Sequence, residues 1–142
     1  VAAAVAGSLR RRREVIGDVD VVAAVTGSPA AVAGAFAHAP GVRDAIGAGG
    51  RSVRLRYVDG TQLDLHCVRP EQYAVALWRA TGSAEHVAGV AERLAARGLT
   101  LVGDELRGAD GRAVAVADEA ALYALAGMAF VVPELREGSG EV

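Results

Sequence analysis

The chain contains no lysine; all 15 of its basic residues are arginine. Without a side-chain amine, Schiff-base lyase chemistry is excluded. The single cysteine, Cys67, rules out an internal disulfide and a cysteine-based zinc site. Set in an apolar run, it reads as a small buried hydrophobe. Aromatic residues make up only 4%, so Ala and Val carry the 52% hydrophobic content and imply thin, closely apposed elements. A bias to Ala, Val, Gly and Arg has a GC-rich genome as its plainest cause. No run of about 18 apolar residues occurs, so no membrane span is expected. Residues 1–6 are apolar but too short for a signal peptide and have no charged lead-in. The chain starts with Val rather than Met and is expected to be a piece of something longer. A net charge of −2 gives no general attraction for polyanions. Any such contact must come from local clusters, above all the four arginines at 10–13.

The 142 residues suffice for one domain or two small lobes. Residues 1–6 read as a buried strand ended by Gly7-Ser8, and 18–25 as a second strand. Ser28 and Pro29 supply an N-cap and first helical position for a helix over 30–38. A short strand is expected over 42–46. Residues 52–58 alternate as a half-exposed strand. Asp59-Gly60 signals a type I′ hairpin, with 62–68 returning antiparallel. Beyond Pro70 the pattern turns helical over 71–79 and again over 84–97, ended by Gly98. Strands are expected over 99–107 and 112–116, and Asp118 should cap a last helix reaching 125.

Three carboxylates then stand out. Asp18 and Asp20 are two apart in a valine run, so on a strand they leave the same face. Asp is disfavoured in strands, and two of them there call for a reason. Asp64 sits in another strand, its position fixed by the hairpin. Should the strands pair with Asp64 opposite the first two, the patch needs a divalent cation, or one carboxyl must take up a proton. Such a ligand set suits two metal ions clamping a phosphoryl transfer.

Taken in order, Gly7-Ser8-Leu9-Arg10-Arg11, Glu14, Gly17-Asp18-Val19-Asp20, Leu63-Asp64-Leu65, Thr81-Gly82-Ser83 and Pro133-Glu134-Leu135-Arg136-Glu137 resemble the family X DNA polymerases. The resemblance is to the bacterial branch fused to a phosphoesterase domain, and it covers essentially the whole chain. It implies an α+β fold: a nucleotidyltransferase-type palm, with a mixed, mostly antiparallel twisted sheet and helices on one face, then a small α+β thumb. Palm and thumb would span 1–70 and 71–136, with 137–142 as an exit linker. The implied activity is template-directed DNA synthesis that fills short gaps in repair, by two-metal transfer from dNTP to a primer 3′-hydroxyl. Asp18 and Asp20 would bridge both Mg²⁺ or Mn²⁺ ions, and Asp64 would hold the catalytic one and help deprotonate the primer.

Gly7, Ser8, Arg11 and Gly17 would surround the triphosphate, with Gly7 admitting close backbone approach and Arg11 a forked cation. Arg79 and Gly82 would line the nucleotide pocket. His66 and Arg12 are candidates for DNA contact; a packed His66 and a solvated Arg12 remain open alternatives. His38 and His86 have no metal-ligand spacing and read as structural or surface residues. Gapped DNA, dNTP and flanking domains of a parent chain are the implied partners, with no membrane and a bacterial cytoplasmic, nucleoid location.

The pattern departs from the family in the nucleotide pocket. Arg79 and Ala80 replace an aromatic pair, Val87 stands for a base-contacting asparagine, and Arg12 for a glycine. Weaker rejection of ribonucleotides is expected. Two further readings stay open: a nucleotidyltransferase that needs no template, and a DNA-binding module with a decayed site.

Overall fold

A computed structural model describes residues 2–11, 18–47, 50–138 and 140–141, and the side chains of Ala2, Ser8, Leu9 and Asp18 lie outside what it describes. Of the positions singled out above, Arg12, Arg13, Glu14 and Gly17 lie outside it altogether.

Five strands form the larger sheet: β1 (Ala2–Ala6), β2 (Asp18–Ala24), β3 (Val42–Ile46), β4 (Ser52–Tyr57) and β5 (Gln62–Val68). Their spatial order is β1-β2-β5-β4-β3. All pairs are antiparallel except β2 with β5, which run parallel with Asp20 opposite Asp64. A parallel pair cannot be joined by a tight turn. The chain accordingly leaves β2 through helix α2 (Pro29–Phe36) and the β3–β4 pair before returning on β5.

Period-two alternation divides this sheet into one face buried against α2 and a second face that α3 covers only in part. On one face, Ala23, Val25, Val53, Leu55, Leu65 and Cys67 pack around α2 through Ala33. Cys67 is fully buried there and behaves as a small hydrophobe. On the other face, Val22 and Val68 meet Ala76 and Leu77 of α3 (Tyr73–Thr81). Asp20, Asp64 and His66 share this second face, beyond the part that α3 covers.

The second half contains α3, α4 (Ala84–Ala95), α5 (Glu119–Leu125) and a small sheet of β6 (Thr100–Val102), β7 (Glu105–Arg107) and β8 (Ala113–Val114). Their core is Trp78, Val90, Leu94, Leu106, Leu122 and Tyr123. Two short 3₁₀ turns, Pro70–Gln72 and Pro133–Leu135, bracket this half.

Three local expectations change. The run 99–107 is a hairpin and not one strand, because Gly103 takes φ +59° and turns the chain between β6 and β7. The helix expected over 71–79 begins instead as the 3₁₀ turn and becomes α-helical at Tyr73. The β4–β5 loop has three residues, 58–60, where two were expected. Tyr57 N donates to Thr61 O at 2.8 Å, and Gly60 alone takes up the positive φ, +93°. The antiparallel return of β5 is unaffected, and with it the position of Asp64.

Candidate active site

An open cavity of about 490 Å³ lies on the second face of the larger sheet, with Asp20, Asp64, Arg54, Ser52, His66 and Ala80 among its lining residues. Two of its acids come from neighbouring parallel strands in register, so both carboxylates leave the same face. Asp18 is two residues from Asp20 on β2, and its side chain lies outside the described residues. Among the described residues no group of three or more His, Cys, Asp or Glu is placed to hold a metal. What the structure brings together is the Asp20–Asp64 pair.

Charge at this pair is compensated from β4. Arg54 stands directly opposite Asp64, and its Nε and Nη2 donate to the two carboxylate oxygens at 2.7 and 3.3 Å. The guanidinium is the cation that makes a carboxylate tolerable beside a second one. Asp20 is bounded from the other side by Gly7. That residue takes φ +66°, and a Cβ there would collide with the Asp20 carboxylate. The glycine is therefore required twice, by its backbone angle and by the approach of Asp20. Hard carboxylate oxygens on a solvent-open face are the donors Mg²⁺ and Mn²⁺ prefer, so the described residues fit such an ion once Arg54 yields Asp64.

Gly7 opens the four-residue turn α1 (Gly7–Arg10), which aims two arginines at the second half of the chain. Arg11 Nε donates to Thr81 O at 2.8 Å, and Nη1 to Glu137 Oε2 at 2.6 Å. Gly82 lies next to this guanidinium, and a Cβ on it would be 4.0 Å from Arg11 Nε. The peptide bond joining Gly82 to Ser83 is cis.

Arg10 instead grips α5. Its Nη1 donates to Glu119 Oε2 at 2.9 Å and to Thr81 Oγ1 at 2.7 Å, while Nη2 donates to Glu119 Oε1. Glu119 also accepts from Arg136 Nη1 at 2.8 Å. Arg136 is wholly buried, donates through Nε to Val131 O, and stacks over Tyr123 and Phe130. Burial pushes the Glu119 carboxyl up, but the two arginines outweigh it and hold it below the usual range. This Arg–Glu–Arg trio escaped sequence reasoning. Its members are far apart in the chain, and the one signal was a glutamate at the start of an otherwise apolar helix.

His66 joins the two sheets. Its Nδ1 meets Ser52 Oγ, and its Nε2 lies 2.8 Å from Asp104 Oδ2 in the β6–β7 turn. The bond from His66 lowers the Asp104 carboxyl despite burial, with Arg51 and Arg79 adding to the effect. Arg79 donates to Gly103 O at 2.6 Å, so it braces the same turn. Ala80 is exposed on the rim of the cavity, and Val87 packs partly buried against the core of the second half. His86 is fully buried on α4, with Nε2 2.7 Å from Tyr123 Oη, as a structural histidine would be.

Comparison with known proteins bears on the family and the fold. The family model described as DNA polymerase beta thumb matches residues 76–137. The DNA polymerase/3′-5′ exonuclease PolX of Bacillus subtilis (strain 168) is 31% identical over 140 residues, spanning 96% of this chain and 24% of the relative. The chain thus spans about a quarter of that relative's length. The crystal structure of Leishmania infantum polymerase beta in a ternary P/T complex superposes with a TM-score of 0.77, covering 96% of this chain and 67% of that one. At 17% identity that likeness speaks for the fold alone.

Proposed function

Because the chain belongs to the family X DNA polymerases, we propose that it is the palm and thumb of a template-directed DNA polymerase acting in short-gap repair. The palm would be residues 1–70 and the thumb 71–136. The observation that carries this reading is the in-register placement of Asp20 and Asp64 on one open face, with Gly7 shaped to admit Asp20.

Asp20 and Asp64, together with Asp18, would hold two Mg²⁺ or Mn²⁺ ions. Such ions, when bound, lower the pKa of an attacking hydroxyl and neutralise charge on a leaving pyrophosphate. The protein's own part is positioning. β2 and β5 fix the carboxylates by their register, and β4 supplies Arg54 as the counter-ion of Asp64. Ser8 and Arg11 would take the β- and γ-phosphates, with Gly17 nearby, since a planar guanidinium matches phosphate oxygens in two-point contact. Gly82 allows the chain to turn close to Arg11. Ala80 leaves the rim next to the acids open, where a larger side chain would crowd an incoming sugar. Arg79 braces the thumb turn in this arrangement. His66 and Arg12 are the proposed DNA contacts, although His66 also ties palm to thumb through Asp104.

DNA substrate, dNTP and flanking domains of a longer parent belong to the same proposal, as does a bacterial cytoplasmic setting. No helix among the described residues is long and apolar enough to cross a membrane. The test is one-nucleotide gap filling by the longer parent protein with labelled dNTPs and Mg²⁺ or Mn²⁺. Incorporation that follows the templating base supports the reading. Transfer regardless of template would instead favour a nucleotidyltransferase that needs none, and no transfer a DNA-binding module.

A further inference from the structure

Arg11 is the cation assigned above to the triphosphate, and the structure already gives it an anion. Glu137 Oε2 stands 2.6 Å from Arg11 Nη1, both side chains being mostly shielded from solvent. Glu137 is held there from both sides. Upstream, the Arg136 side chain is locked into the Glu119 trio, and its carbonyl accepts from Ser83 N at 2.8 Å. Downstream, Gly138 takes φ +75° and passes so close to α4 that a Cβ on it would lie 2.5 Å from Glu85 Cβ. Three residues further on, Glu141 Oε1 reaches within 3.4 Å of buried His86 Nδ1. Residues 136–138 are thus strapped across the start of α4, with Glu141 anchored on the same helix, and they present one carboxylate to Arg11.

We propose that Glu137 is the resident anion of the triphosphate subsite, a residue that sets nucleotide affinity by occupying Arg11 until a polyphosphate displaces it. The proposal rests on the reading of Arg11 as a triphosphate contact. A carboxylate at this distance cancels the guanidinium charge, and partial burial limits how far solvent and salt weaken the pair. Incoming phosphate oxygens compete for the same donor, so the ion pair is subtracted from the binding free energy. A triphosphate, with several negative charges, can meet that cost, whereas a monoanion meets it poorly. The strap anchors explain why Glu137 does not simply swing away: its neighbours on both sides are fixed.

The test is equilibrium titration of dATP in Ca²⁺, which supports binding without turnover, against wild type, Glu137→Gln, Arg11→Gln and the double variant. Glutamine keeps the shape of the side chain and leaves both anchors untouched. Glu137→Gln should bind dATP about two- to fivefold more tightly, the fold-change that a partly exposed ion pair is worth. That gain should vanish in the Arg11→Gln background, as coupled residues require. Unchanged or weaker binding by Glu137→Gln, or an equal gain without Arg11, overturns the proposal. If Arg11→Gln binds dATP as tightly as wild type, the assignment of Arg11 to the phosphates fails, and the proposal with it.

Discussion

At the scale of single residues, the candidate site is a set of charges held in compensation by their neighbours. Asp64 has Arg54 and Arg11 has Glu137, so one acid proposed for metal and the cation proposed for phosphate are both already paired. Replacing Arg54 by Gln removes the cation that competes for Asp64. Mn²⁺ affinity, followed by EPR, should rise about two- to fivefold, the scale of a half-exposed ion pair; a fall would show that Arg54 supports the acids and does not compete for them. Gly7→Ala forces an alanine into a positive φ and drives its methyl into the Asp20 carboxylate. The backbone term alone is about 1–2 kcal/mol, to be read in a denaturant melt, and Mn²⁺ binding should weaken as Asp20 is displaced. Ala80→Phe fills the rim beside the acids. In single-turnover assays of the parent protein it should raise the preference for deoxy- over ribonucleotides by about tenfold, the low end for filling an apolar gap.

At the scale of elements, much was legible in advance. Ser28, Ser83 and Asp118 each accept a backbone N–H at the start of a helix, and Ser28 and Asp118 were recognisable as caps because capping is local chemistry. The β4–β5 hairpin and the face shared by Asp64 and His66 followed from alternation and a turn signal. What stayed hidden depends on contacts between distant segments. Glu119 meets Arg10 across 109 positions, and no periodicity encodes that. The β6–β7 turn went unseen because Gly103 lies in a run with enough Val and Leu to pass for one strand. The buried trio sets a clear expectation. Glu119→Ala leaves two arginines without their shared carboxylate, one of them with no solvent access at all. The cost should be about 3–5 kcal/mol, as for other broken buried pairs, measured by chemical denaturation. A loss under 1 kcal/mol would mean that the trio relaxes into solvent.

At the scale of the whole molecule, the two halves are joined by α3 packing on β2 and by polar links that include Arg10–Glu119, Arg11–Glu137, His66–Asp104 and Arg69–Glu105. These links make stability sensitive to acid. Asp104 and Glu119 both have carboxyls below their ordinary values, so their contribution is present above those values and lost as pH falls through the folded ones. Burial also lowers buried His86 below its ordinary 6.5, so the folded state resists its protonation and loses stability as pH drops below that value. All three act in one direction. The melting temperature should therefore fall steadily from about pH 6.5 downward, and Glu119→Gln should flatten the lowest part of that profile. A flat profile between about pH 7 and 2 would show that these groups have equal affinity for protons in both states.

The shared face of β2 and β5 governs everything assigned to the active site, and divalent-ion binding probes it most directly. Mn²⁺ titration followed by EPR should show binding to the wild-type protein that is lost in both Asp20→Asn and Asp64→Asn, each still folded by circular dichroism. Binding that survives either substitution unchanged would contradict the account, because the two carboxylates would then not serve one ion site.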